Sequence, residues 1–302
     1  MFSNRLNAAI RTRVVEPKKE KKWLHLFPEH PSDFSVVMPL KQVFFHSSFS
    51  VVQKFISQGI DGGASVSGIY DNVVVHLPQS KRLAQHLVFL ASEFAPQGVV
   101  YVDGAKTQGV ESIMKAVRKL VPLEGQVSGR HGRLFWFMAK EVFAPWDASA
   151  AKEIDGGFKT RAGTFSSEHV DPGSELLAKS LPNDLSGVAA DLGAGWGYLS
   201  HCLLKSFALI SIDLVEVDLI ALDCAKINCN DKRARFHWRD IQTWFAPKVY
   251  DHVVMNPPFH AGRQKELELG RVFIKKASTI LKKKGKLWMV ANRHLPYEET
   301  LS

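Results

Sequence analysis

Asn256-Pro257-Pro258-Phe259 closes the apolar run Val253-Val254-Met255, and its residue types suit one chemical task, holding a flat amine by its own hydrogens. Two successive prolines fix φ at about −65° and remove two backbone donors, and the first biases Asn256 away from helix. A stiff, acceptor-rich ledge is expected. The Asn256 side-chain oxygen and the Pro257 carbonyl can each accept one N–H of such an amine, while Phe259 offers a face for a planar base. With both protons held, the nitrogen lone pair points away from the ledge, toward an electrophile. Alone, the tetrapeptide serves equally well as a rigid strand-to-loop turn.

A second group lies upstream in Asp191-Leu192-Gly193-Ala194-Gly195-Trp196-Gly197. The pattern is G-x-G-x-G with an acid ahead of it, which departs from the G-x-G-x-x-G dinucleotide fingerprint. Glycines there let a ligand approach the backbone closely. Glu216 ends the next apolar run, where a carboxylate can accept both hydroxyls of a ribose; Asp218 reads as a helix N-cap or as a further acid. Asp240, two residues past Trp238, is placed to accept from an adenine amino group, although a lone surface Asp there would carry no meaning.

The elements that must hold these groups follow from periodicity. Strands are expected at Val188–Asp191, Ala208–Val215, Arg235–Trp238, Val249–Met255 and Gly285–Ala291, and helices at Tyr198–Ser206, Leu219–Asn228 and Leu267–Leu281. Such alternation builds a doubly wound parallel sheet, whose ligands sit beyond the carboxyl ends of its strands. Lys282-Lys283-Lys284 before Gly285 reads as a helix C-terminus with a left-handed glycine cap. The break at residues 144–157, rich in Ala, Asp and Gly, divides the chain into an N-terminal α/β domain, 1–150, and a second domain, 151–302. In the first, strands are expected at Val73–Val75 and Val99–Val102 and helices at Ser80–Phe94 and Gly109–Leu120. Val99–Ile113 loosely echoes Val188–Leu203 without the glycines, which reads equally as a duplicate that has lost the chemistry or as a chance βα similarity.

Composition narrows the class. With 302 residues and 45% hydrophobic content, the chain can build two cores, and no apolar run reaches membrane-spanning length. No secretory leader is visible, so a cytoplasmic protein is expected; Arg5, Arg11 and Arg13 read as an ordinary basic tail. Cys202, Cys224 and Cys229 form no C-x-x-C pair, which points to reduced core thiols rather than zinc or disulfides. A net charge of +9 favours a polyanionic partner, and Lys18-Lys19-Glu20-Lys21-Lys22 reads as a solvated segment able to touch RNA.

The glycine turn Asp191–Gly197 together with Asn256-Pro257-Pro258-Phe259-His260 resembles the class I S-adenosylmethionine-dependent methyltransferases of the small-methyltransferase branch. Phe158–Ser166 and Asp171-Pro172-Gly173-Ser174 are similar to the segment ahead of the catalytic domain in bacterial 16S ribosomal RNA guanine-N2 methyltransferases. The resemblance covers residues 155–298, and the N-terminal half only through Pro78–Lys81 and Gly109–Ser112. It implies a Rossmann-like methyltransferase sheet preceded by a smaller α/β domain that is a degenerate, RNA-gripping methyltransferase fold. It also implies S-adenosylmethionine as cofactor, with Asp191, Gly193, Gly195 and Gly197 holding its methionine part, Glu216 the ribose and Asp240 the adenine. Asn256, Pro257, Pro258 and Phe259 would form the catalytic ledge, Asn256 bordering the cofactor as well, with ribosomal RNA or the small subunit as partner and no metal. His260 and His169 read as loop structure or RNA contacts.

The family sheet ends in two further strands, and the tail after residue 292 is too short to supply them, so the sheet is expected to lack its last two strands. Other amines, adenine N6 or a protein glutamine, suit the same ledge, as does a binding protein with little turnover.

Overall fold

The computed structural model describes residues 5–18, 20–34, 41–257, 263–292, 297 and 300, and the chain separates into two compact units, 1–150 and 151–302. In the first unit α1 (Arg5–Arg11) precedes β1 (Lys22–Leu26), β2 (Lys41–Phe45), α2 (Phe49–Ile56), β3 (Gly62–Gly63), β4 (Asn72–His76), α3 (Lys81–Phe94), β5 (Val99–Ala105), α4 (Val110–Arg118), β6 (Gly125–Gly129) and β7 (Gly132–Met138). Helix α3 starts where Ser80 accepts a hydrogen bond from the Leu83 N–H, and it buries Leu83, Leu87, Val88 and Ala91 on one stripe.

These strands make one sheet in the order β3-β2-β1-β4-β5-β7-β6, parallel except that β7 runs antiparallel to both β5 and β6. The β6–β7 hairpin turns on Arg130 and His131, both with positive φ (47° and 56°), as a two-residue loop that follows the strand twist requires. The N-terminal unit is therefore not the smaller domain expected from the sequence. Its sheet has seven strands, because the Gly125–Met138 stretch closes into a hairpin and Lys22–Leu26 and Lys41–Phe45 add to the opposite side of β4. Of the two readings of the echo of Val188–Leu203 in Val99–Ile113, the structure favours the chance βα similarity, since β5 is the fifth strand of its sheet and not the first.

The basic opening is not a tail. Helix α1 lays Leu6 and Ala9 against Trp23, Val74, Tyr101 and Leu134, and Arg5, 4% exposed, donates to the Asp103 carboxylate at 2.5 Å. Lys21 and Lys22 likewise belong to the folded unit: Asp71 takes the Lys21 ammonium at 2.6 Å and the Lys22 N–H at 2.8 Å.

The second unit holds the short pair β8 (Lys152–Glu153) and β9 (Lys159–Thr160), then α5 (Pro172–Ser180), β10 (Gly187–Leu192), α6 (Tyr198–Leu203), β11 (Leu209–Glu216), α7 (Leu219–Asn228), β12 (Ala234–Trp238), β13 (Tyr250–Met255), α8 (Arg263–Ile280) and β14 (Leu281–Met289). Its main sheet runs β12-β11-β10-β13-β14, all parallel. Alternate residues of one strand face opposite layers: Val253 and Met255 pack with Phe273, Ile274 and Ala277 of α8, and Val254 with Leu177, Leu199 and Ala225 of α5, α6 and α7. This is the doubly wound arrangement expected, with the helices on both faces.

Lys282–Gly285 do not cap a helix. Helix α8 ends at Ile280, and the lysines sit in an irregular start of β14, where the register slips between Tyr250 and His252 and Lys282 pairs with Asp251 at 2.9 Å. Gly285 has no left-handed φ; a Cβ there would meet the Tyr250 carbonyl at 2.9 Å, so its smallness serves a close strand approach. Among the described residues no strand follows β14, and residues 293–296, 298–299 and 301–302, which bear on the expected lack of two strands, lie outside them. No helix among the described residues is long and apolar enough to cross a membrane.

The buried Arg5–Asp103 pair makes a direct prediction for the first unit. Arg5→Leu strips a buried carboxylate of its cation, and urea unfolding of the full chain should show that unit destabilised by about 3–5 kcal/mol. A change within 0.5 kcal/mol, the size of a surface substitution, would disprove the role.

Candidate functional site

The turn after β10 is left-handed at three alternate residues: Gly193 at φ 73°, Gly195 at 55° and Gly197 at 90°. Side chains with a Cβ adopt such angles at a cost of about 1–2 kcal/mol each, which accounts for the G-x-G-x-G spacing. Each glycine meets different surroundings. The Gly193 N–H donates to the Val215 carbonyl at 2.9 Å, tying the first strand's end to the second's. A Cβ on Gly197 would lie 2.9 Å from Cys229 Sγ, whereas one on Gly195 would meet nothing within 4 Å among the described residues. Gly195 therefore faces an open cradle, and Gly197 fixes packing.

The segment ahead of the sheet is fastened to this turn. Trp196 Nε1 donates to the Phe165 carbonyl at 2.9 Å, Asn228 Nδ2 donates to the carbonyls of Trp196 and Lys159, and the Phe158 ring packs on Trp196, Tyr198 and His201. Phe165, 47% exposed, thus lines a small cavity with Asp171, Ser174, Gly193, Gly195 and Asn256.

Three acids follow the strand ends and differ in what holds them. Asp191 is 1% exposed; its Oδ2 accepts from Ser200 Oγ at 2.7 Å, its Oδ1 has no hydrogen-bond partner among the described residues, and burial pushes its carboxyl up to about 6. Glu216 is engaged by backbone: Oε2 accepts from the Gly195 N–H at 2.7 Å, and Oε1 from the N–H groups of Val217 and Asp218 at 2.8 and 2.9 Å. Burial outweighs those bonds and pushes it up to about 7. Asp218 is the N-cap of α7, accepting from the N–H groups of Ile220 and Ala221, which decides between its two sequence readings. Asp240 stands past the end of β12 and accepts from the Gln242 N–H at 2.8 Å, outside the small cavity.

Asn256 leaves β13 opposite the turn. Its Nδ2 donates one hydrogen to Asp171 Oδ2 and the other to Ser174 Oγ, both at 2.8 Å. A carboxylate oxygen only accepts, so the nitrogen must face Asp171 and the amide cannot be reversed. Both donors are spent. The side-chain oxygen Oδ1 is left as the acceptor on the opposite edge. Asp171 holds its place as N-cap of α5, where the same Oδ2 accepts from the Ser174 N–H at 2.8 Å and Pro172 opens the helix.

The structure thus brings together the glycine turn, Glu216 and Asn256, with Pro257 buried beside it, and sets Asp240 apart at the third strand. Pro258, Phe259 and His260 lie outside the described residues. Sequence reasoning missed Asp171 and Ser174 as partners of Asn256, and Phe165 on the cavity rim; the only trace was their place in a segment of family-like sequence. The residue types fit an adenosyl cofactor: an orphaned buried acceptor on Asp191 for an ammonium, a Cβ-free cradle at Gly195, and unspent acceptor capacity on Glu216 for ribose hydroxyls. The larger cavity of this unit, about 440 Å³, lies between α5 and α6 around Lys179, Leu181 and Cys202, and includes neither the turn nor Asn256. Among the described residues no three His, Cys, Asp or Glu side chains are grouped to hold a metal.

The methyltransferase small domain matches residues 155–302, and the methyltransferase small domain N-terminal region matches 38–151. Ribosomal RNA small subunit methyltransferase C of Shewanella sp. (strain MR-4) is 31% identical over 245 residues, spanning 77% of this chain and 71% of the relative. That of Shewanella oneidensis is 30% identical over 245 residues, with the same coverage. A T. thermophilus 16S rRNA N2 methyltransferase, solved with AdoMet and guanosine, superposes with a TM-score of 0.80 at 23% identity over 98% of this chain and 86% of its own, a likeness of fold.

The raised carboxyls predict a pH signature. Between pH 4.5 and about 7 the folded state keeps a proton on Glu216 that the unfolded chain has released, and Asp191 acts alike from 3.8 to about 6. Their contribution to stability is complete below those lower limits and is lost as pH rises through the upper ones. Glu216→Gln should flatten the upper part of that decline, read by hydrogen exchange of the β10 and β11 amides; an unchanged slope would show that Glu216 is ionised throughout.

Proposed function

The chain belongs to the methyltransferase small-domain family, and from that membership we propose that it methylates the exocyclic N2 amine of a guanine in ribosomal RNA, within the small subunit. The observation that supports this reading most is the fixed amide of Asn256, its oxygen freed at the carboxyl end of β13 beside the glycine turn. S-adenosylmethionine, when bound, supplies a sulfonium methyl with a neutral thioether as leaving group.

The chain's own residues position the amine. Asn256 Oδ1 and the Pro257 carbonyl would accept its two hydrogens, which aims the nitrogen lone pair away from the ledge, and Phe259 would stack on the base. The residues that would hold the cofactor are Gly193, Gly195 and Gly197 through backbone, Asp191 and Glu216 through their carboxyls, and Asp240, with Glu216 taking ribose hydroxyls and Asp240 the adenine amine. Proximity and orientation carry the rate, and the product amine releases its extra proton after transfer. The net charge of +9 favours RNA over a protein amide, and the N-terminal unit is assigned to gripping that RNA. A ribosomal substrate puts the enzyme in the cytoplasm.

Transfer of labelled methyl from S-adenosylmethionine to unmodified small-subunit RNA, free and as assembled subunit, should yield N2-methylguanosine. Asn256→Ala should lower the rate about a hundredfold or more, the scale for removing a polar group aligned with the transition state. Label in adenine or in protein would replace the reading, and cofactor binding without transfer would end it.

Asp171 and Ser174 act through Asn256. Ser174→Ala removes one of two acceptors that hold the amide, so kcat should fall about fivefold to tenfold while KM for RNA stays near wild type. Ser174→Thr, which keeps the hydroxyl, should restore it. An unchanged kcat in Ser174→Ala would show that Asp171 alone fixes the amide.

A further inference from the structure

The two sheets share a strand order, and their registers superimpose one crevice on the other. Leu26 faces Phe45 and Val75 across β2 and β4, as Leu192 faces Val215 and Met255 across β11 and β13. Counting from those triplets, His25 stands at the position of Asp191, Phe27 at Gly193, His46 at Glu216 and His76 at Asn256. Backbone details agree. The Phe27 N–H donates to the Phe45 carbonyl at 2.8 Å, as Gly193 does to Val215 at 2.9 Å, and both residues are left-handed, Phe27 at φ 56°. Ser48 and Asp218, each two residues past the second strand's last site position, are the N-caps of α2 and α7.

A cavity of about 400 Å³ opens at this crevice, lined among others by Phe27, His46, His76, Gln79, Thr107 and Arg130. That volume lies in the ordinary range for small-molecule sites, and the ends of parallel strands at the switch between β1 and β4 are where such sheets bind ligands. Its chemistry differs from the methyl-transfer site. A phenyl ring replaces the glycine that opens the turn, and an imidazole replaces the acid that would take ribose hydroxyls. The formal charges on its walls cancel, Arg5 and Arg130 against Glu29 and Asp103. Burial lowers His46 to about 4 and His76 to about 3, so both rings are neutral. A cancelled charge favours neither a polyphosphate nor a metal ion. It suits a neutral, flat molecule with hydrogen-bonding edges.

The edges on offer are defined. The Ser48 N–H donates to His46 Nδ1 at 2.9 Å, so the ring proton sits on Nε2, a fixed donor. Phe27 lies over the His46 ring with centroids 4.6 Å apart, and the exposed Gln79 amide adds a donor and an acceptor. The geometry points to a second nucleobase site: the N-terminal cavity takes an unpaired base, from the RNA substrate or from a free nucleoside. The RNA source rests on the function proposed above; the base chemistry does not.

The test uses the full chain. Ultraviolet crosslinking to transcribed small-subunit RNA should place a nucleotide on peptides holding Phe27 or His76. Thr107→Trp, which fills the exposed rim, should abolish that crosslink and weaken RNA binding about tenfold, the scale of one stacked base. Gln79→Ala, also exposed, should weaken it less and leaves the fold intact. In a second arm, saturation-transfer NMR with guanosine, adenosine, cytidine and uridine compares wild type with Thr107→Trp; signals lost in the variant without any RNA crosslink would assign the site to free nucleosides. If neither arm responds to Thr107→Trp, the inference is wrong. Methylation of the same RNA by wild type separates the two readings: RNA methylated with the N-terminal peptides unlabelled and the nucleoside signals unchanged overturns the base site alone.

Discussion

Both sheets depend on one backbone position, the residue after the first strand, which is left-handed and donates its N–H to the carbonyl that ends the second strand. That bond fixes how the chain leaves the sheet at the switch point, and so fixes where a ligand can sit. In the second unit the position is Gly193, and the turn continues through two more left-handed glycines. In the first unit it is Phe27, a bulky residue in a conformation that disfavours it. The surrounding ladder over-determines the backbone there, and the ring that results fills space a glycine leaves open. One backbone bond is thus shared by two crevices, and the side chains around it set their different chemistries.

The ledge at Asn256 shows the same dependence on a neighbour. Two prolines stiffen the backbone, but rigidity does not say which way an amide faces. That is set by Asp171, eighty-five residues earlier, which cannot donate and therefore must meet the amide nitrogen. The carboxylate that caps α5 also orients the acceptor on β13, so the entry angle of a helix and the aim of a catalytic side chain are mechanically one feature. Shifting α5 by an ångström would turn Asn256 as surely as mutating it.

Local signals in the sequence were enough for much of this architecture. Leu219–Asn228 between its Asp cap and Cys229, the Ser80 cap, and the apolar runs ending at Asp191, Glu216 and Met255 all lie where periodicity places them. The misses share a cause, which is that they depend on partners distant in the chain. Lys282–Gly285 have every local mark of a helix end, and only the slipped register with Tyr250 makes them strand. Arg5 reads as a tail until Asp103 stands opposite it. Val99–Ile113 echoes Val188–Leu203 because a strand, a glycine and a helix occur there. A βα unit carries no mark of its rank in a sheet, and pairing places that segment fifth.

The exchange of acids for histidines between the two crevices follows from desolvation. The strand ends remove water from whatever group is placed there, which raises a carboxyl and lowers an imidazole. Glu216 tolerates its position because three backbone N–H groups converge on it, one of them from Gly195 in the turn. Among the described residues His46 accepts one N–H, that of Ser48, the counterpart of the Asp218 N–H. Among the described residues the donor that Gly195 supplies has no equivalent in the bonds to His46, and a carboxylate there would be a buried charge with too few partners. A neutral imidazole satisfies the same single donor and keeps a donor of its own. With fewer converging donors an acid is unfavourable at this position, and what remains is a crevice suited to uncharged, planar ligands.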